Sequence, residues 1–123
     1  MQARGTGLNG SGANVIAFPS VKELQVGFDR LELQRILDLY GRMVAAGEWR
    51  DYAMDFGKDT ASFCAFRRAA ERPQARIEKR PSLRQKQGMW TVFGEAGQVI
   101  KRGHELAGVL FPLERRLLKI VKD

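Results

Sequence analysis

The chain has one cysteine, Cys64, and one histidine, His104. A lone thiol forms no intramolecular disulfide and suits a reducing compartment. A lone histidine excludes the paired-histidine metal helix: His104-Glu105-Leu106-Ala107-Gly108 lacks the second ligand that such a helix requires. No run reaches about 18 apolar residues, so no membrane-spanning helix is expected. Residues 1–14 are rich in glycine and asparagine and contain no apolar segment of the signal-peptide kind. The expected address is the cytoplasm.

What is present is a globular composition, 44% hydrophobic and 28% charged over 123 residues. That is enough for one domain with a packed core. The expected division is a flexible tail over residues 1–20 and a single α+β domain over 21–123. Within the tail, Val15-Ile16-Ala17-Phe18-Pro19 is an apolar cluster, expected to pack on its own domain or on another protein.

The charge is unevenly distributed. Between Arg67 and Arg102 stand ten Lys or Arg against three acids, so the whole net charge of +7 falls in that segment. Elsewhere the two signs balance. A confined excess of this kind points to an anionic partner or to a solvated face.

Periodicity places a helix over residues 29–46. Asp29 and Glu32 have capping-box spacing, Phe28 and Leu33 stand at the staple positions, and Gly47 sits at the C-terminal stop. Its apolar stripe reads Leu33, Ile36, Leu37, Tyr40, Met43, Val44. Strands follow over 50–56, 60–68, 74–80, 88–93 and 98–101, with turns at Gly57-Lys58-Asp59 and at Gly94-Glu95-Ala96-Gly97. A second helix over 104–122 carries Leu106, Val109, Leu110, Leu113, Leu117, Ile120 and Val121 in one phase across Pro112, which predicts one kinked helix. The expected fold is therefore α+β: an antiparallel sheet of about five short strands flanked by an N-terminal and a C-terminal amphipathic helix, with one face left for solvent or a partner.

No catalytic or metal-binding constellation emerges, and neither a cofactor nor an enzyme is expected. Cys64 reads as a small strand filler without a base beside it. Asp51 and Asp55 share a strand face, but their spacing matches no cation loop. Gly5 and Gly7 lie outside any strand-to-helix turn, so they make no phosphate cradle. An enzyme reading would require Glu48, Asp51, Cys64 and His104 to converge in one pocket. The remaining candidate is the basic segment. Arg76, Arg80, Arg84, Lys86 and Lys101 are expected to contact phosphates, with Trp90 and Phe93 nearby for stacking. Trp90 and Phe93 differ in strand parity, however, so only one of them can share a face with the cations. The alternative is a solvated surface paired with Glu71, Glu78 and Glu95.

Four stretches resemble a known family: Leu39-Tyr40-Gly41-Arg42-Met43-Val44-Ala45-Ala46-Gly47-Glu48-Trp49-Arg50-Asp51-Tyr52, Phe66-Arg67-Arg68, Arg76-Ile77-Glu78-Lys79 and Ile100-Lys101-Arg102-Gly103-His104. The family is a group of short alphaproteobacterial proteins known as a domain of unknown function, and the resemblance runs from Phe28 to about Leu118. It implies a bacterial cytoplasm and brings no activity or site residues with it. Its Gly47–Asp51 stretch sets Trp49 among charges, a composition found at interaction hot spots and also at the corner of a core.

Two functions follow as expectations. The first is a non-enzymatic regulatory or accessory module that binds nucleic acid through the basic surface of residues 67–102. The second is a protein-interaction or self-association module using the free sheet face, Trp49 with Arg50, or the tail around Phe18.

Overall fold

A computed structural model describes residues 25–68 and 72–122. The expectations for the tail, Phe18 included, lie outside the described residues.

Helix α1 (Arg30–Ala45) begins on its capping box. The Asp29 carboxylate accepts from the Glu32 N–H at 2.8 Å, and the Glu32 carboxylate accepts from the Asp29 N–H at 2.8 Å. Two orphan donors of the first turn are thus satisfied reciprocally. The helix stops at Ala46, and Gly47 takes the left-handed φ of 80° that a residue without Cβ adopts freely.

Five strands follow, β1 (Asp51–Phe56), β2 (Ala61–Phe66), β3 (Ala75–Lys79), β4 (Trp90–Phe93) and β5 (Val99–Gly103), and then helix α2 (Leu106–Lys122). They form one antiparallel sheet in the order β1-β2-β3-β4-β5, so each strand pairs with its neighbour in sequence. Among the described residues no helix is long and apolar enough to cross a membrane.

Register decides the faces. Met54 lies opposite Phe63, Phe63 opposite Ile77, and Ile77 opposite Val92. Opposed residues share a face. That face is buried in one cluster with Ile36, Leu39 and Met43 of α1 and Val109, Leu110, Leu113 and Leu117 of α2. Both helices therefore cover the same side of the sheet. Helix α2 runs unbroken through Pro112. The proline lacks the N–H that would reach the carbonyl of Gly108, and exposed Gly108 leaves that carbonyl to water.

The burial of α1 differs from its predicted stripe. Leu39, outside that stripe, is fully buried, whereas Leu37 and Val44 are 37% and 40% exposed. The cause is the docking of α2. Glu114 of α2 holds Arg35 at 2.9 Å and Arg42 at 3.2 Å, so α2 covers the side of the helix that carries Ile36, Leu39 and Met43. The opposite edge of the stripe is left beside strand β1, where Tyr52 and Phe56 of the covered face are also partly exposed.

Two side chains on the covered face correct or extend the sequence reading. Trp49, a candidate docking residue, is 3% exposed and stacks on Tyr40 with ring centroids 6.1 Å apart. It fills the helix-to-strand corner of the core, and no exposed indole is presented there. Lys79 lies in register with Trp90 on the covered face. Its ammonium donates to Glu32 at 2.7 Å and to the Gly27 carbonyl at 2.9 Å, which pins the start of α1 to the sheet. Phe28 stacks on Trp90 at 6.2 Å and meets Phe56 edge-on, closing the same end.

Candidate nucleic-acid interface

The second face of the sheet has no described helix over it. Strand parity puts Asp51, Ala53 and Asp55 of β1, Ser62, Cys64 and Phe66 of β2, Arg76 and Glu78 of β3, and Thr91 and Phe93 of β4 on this side. Arg102 joins them through its register with Thr91. The face is polarised. Carboxylates stand on the β1 edge, and arginines stand over β3 and β5.

At the centre of the basic half lies Glu78, which is buried. Arg76 Nη1 donates to its Oε2 at 2.9 Å, and Arg80 Nε lies 3.5 Å from its Oε1. One carboxylate thus organises two guanidinium groups, and the trio keeps a net positive charge. The Arg76 guanidinium also sits 4.1 Å from the centroid of the Phe93 ring, within cation–π range. Arg102 Nε donates to the Thr91 hydroxyl at 3.1 Å, and its Nη1 donates to Gln87 Oε1 at 2.8 Å. Both acceptors are neutral, so Arg102 has no compensating carboxylate among the described residues.

Beyond β3 the chain makes a short 3-10 turn at Pro81–Leu83 and a loop that carries Arg84 and Lys86. Both side chains are exposed, and neither has an ion-pair partner among the described residues. Gly88 fixes this loop. It has φ 99°, and a Cβ there would stand 2.3 Å from the Gly103 backbone. Only glycine allows the loop to lie against the end of β5.

The expected site residues are thus brought together in part. Arg76 and Arg80 belong to one face, with Arg84 and Lys86 on the adjoining loop. Lys101 does not join them. It lies in register with Val92 and takes the parity of the helix-covered face. The β5 register shifts beside Val92 and Phe93, which shows why parity counted from the hairpin turn is unreliable there. Arg50 is exposed at the start of β1, with its backbone N–H donating to the Phe66 carbonyl at 2.8 Å.

Arg72 and Arg102 of this surface fell outside the set expected to contact phosphates, and of the two aromatics expected nearby only Phe93 joins it. The signal for Phe93 was its parity. Once β3 and β4 pair, Phe93 stands opposite Arg76, whereas Trp90 belongs to the core. Between the start of β3 and the β4–β5 hairpin lies a cleft of about 240 Å³, lined by Arg72, Pro73, Arg76, Phe93 and the Gly94–Gly97 turn.

The residues of the enzyme reading do not converge. Glu48 is held by Arg67 and Arg116 at 3.4 Å each. His104 lies beyond Gly103 at the opposite end of the sheet, with Nδ1 3.2 Å from the Arg84 carbonyl. Cys64 is half-buried on the open face between Ala53 and Arg76. Burial pushes its thiol pKa up, the Asp55 carboxylate adds to that, and Arg76 opposes it. The thiol is therefore held protonated rather than activated. Among the described residues no group of three or more His, Cys, Asp or Glu side chains is arranged to hold a metal.

Against known proteins, the model of one family, described as "Protein of unknown function (DUF2794)", matches residues 26–110. No curated protein and no solved structure matches the chain.

Proposed function

The chain belongs to this family of proteins of unknown function, and since membership brings no activity with it, we propose from the geometry alone that the protein is a non-enzymatic regulatory or accessory module that binds nucleic acid through the open face of β3–β5. The observation that carries this reading is the sharing of one face by Arg76, Arg80, Arg102 and Phe93, with Arg84 and Lys86, which have no ion-pair partner among the described residues, on the loop beyond. Arg76 and Arg80 converge on the Glu78 carboxylate, and Arg102, Arg84 and Lys86 extend the positive surface beyond them. Cations along a groove neutralise successive phosphates, and an aromatic among them offers a stacking surface. The acidic β1 edge limits the footprint to the other half of the sheet. The setting that goes with this reading is the bacterial cytoplasm.

The reading is tested by fluorescence anisotropy with labelled DNA and RNA at low and physiological salt. Affinity should fall steeply with salt, since each neutralised phosphate releases counterions. Arg84→Glu/Lys86→Glu breaks no ion pair among the described residues, and should weaken binding and flatten the salt dependence. If no nucleic acid binds even at low salt, the cations are a solvated surface and the proposal fails.

A second reading, protein interaction or self-association, rests on a different surface from the predicted one. Beside β1, Leu37, Val44, Tyr52 and Phe56 are 37–42% exposed. Sedimentation over a range of concentrations would test it, and a monomer at every concentration would remove the self-association form.

A further inference from the structure

We infer that the Arg76–Phe93 stack and the cleft beside it form a subsite for one unpaired base, which makes single strands the substrate class of the basic face. This inference rests on the nucleic-acid reading above and sharpens it.

A guanidinium is a planar group with two faces and an edge. At Arg76 the guanidinium carbon lies over the Phe93 ring, 4.1 Å from its centroid, and Nη1 donates to Glu78 at 2.9 Å. The Arg76 side chain nevertheless remains 36% exposed, so its outer surface is open to a second planar group. Unpaired bases are recognised in this way, stacked on aromatic rings or on guanidinium planes. Because the guanidinium is held from two directions, little side-chain freedom is lost when a base arrives.

The adjoining cleft has the size for such a group. Its volume of about 240 Å³ falls below the range of about 300–1,000 Å³ for sites that enclose a drug-sized ligand. A single ring system fits it better than a whole dinucleotide. Arg72 and Arg76 line the cleft against a single acid, Glu95, and Arg72 makes no hydrogen bond or ion pair among the described residues, so its charge is available to the phosphate of the stacked nucleotide.

Two features weigh against a duplex. Both helices pack on the far side of the sheet, so neither projects from this face toward a major groove. The β4–β5 hairpin could enter a groove as a ribbon, but the tip between Phe93 and Val99 carries Glu95 and no cation.

The test compares a labelled single strand with its own duplex, by anisotropy at two salt concentrations, for the wild type, Phe93→Leu and Arg76→Lys. Leucine retains an apolar side chain without the ring, and lysine retains the charge without the plane. Circular dichroism confirms that each variant is folded. The single strand should bind about ten-fold tighter than the duplex. Each variant should lose about ten-fold on the single strand with little change in salt dependence, the expected size for one stacked base. If single strand and duplex bind equally, or if both variants bind like the wild type, the subsite is overturned while the basic surface stands. If neither form binds at low salt, both the subsite and the nucleic-acid reading fall.

Discussion

The two faces of this sheet are built from the same strands by opposite means. On the covered face Phe63, Ile77, Val92 and Trp90 interlock with both helices, and its stability comes from apolar surface removed from water. On the open face Glu78 and Thr91 are buried as well, but beneath the arginines that bond to them, Arg76 and Arg102. The covered face has few ways to change without loss. The open face holds its polar groups through partners that can be exchanged, which is what a binding surface requires.

The sharpest test of this contrast compares two phenylalanines. Phe63→Ala empties a side chain that is 1% exposed and should cost about 3–5 kcal/mol in denaturant unfolding. Phe93→Ala should cost about 1 kcal/mol, because it removes a partly exposed ring and one cation–π contact. Equal losses would mean that the open face is a second core. Next come two cations. Lys79→Ala leaves Glu32 without its cationic partner at the start of α1 and should cost about 1–3 kcal/mol. Arg80→Ala removes a 3.5 Å pair at a side chain 39% exposed and should cost at most about 0.5 kcal/mol.

An effect between those of the two cations is expected at the organising anion. Glu78→Gln should cost about 0.5–1 kcal/mol of stability while strengthening nucleic-acid binding, because the open face gains one positive charge. Weaker binding by this variant would show that Arg76 and Arg80 act through the geometry that Glu78 imposes.

The smallest effect belongs to Cys64. Its pKa is raised in the fold, chiefly by burial. Its contribution to stability is therefore fully present below the ordinary thiol range and is lost as pH rises through the folded pKa. Alkylation should begin at higher pH than for a free thiol. Asp55→Asn should lower that onset and loss of Arg76 should raise it. A free-thiol profile in the folded protein would contradict the assignment.

Much of the covered face was legible in the sequence, because its signals are local. Asp29 and Glu32, Gly47, and the alternation of Ala75, Ile77 and Lys79 each act within a few residues. What the sequence left open depends on docking. Whether Leu39 or Leu37 is buried turns on where α2 lies against α1, and whether Trp49 is core or surface turns on the angle at one corner. On the open face, the cations Arg76 and Arg80 could be named from charge and parity. The pairing of Arg76 with Phe93 required the β3–β4 register, and the β5 register shift moved Lys101 to the other side. The destination of the Lys79 ammonium, on Glu32 47 residues away, carried no local mark at all.

The meander has a kinetic meaning. Every strand pairs with its neighbour in sequence, so the sheet can assemble hairpin by hairpin, each step closing only a short loop. Low contact order of this kind favours rapid folding. The long-range step is the meeting of α1 with α2, which come from opposite ends of the domain and are joined through Glu114. In such a chain the sheet would form early in the transition state and the helix–helix seal would form late, so losing Glu114 should quicken unfolding while leaving the folding rate nearly unchanged.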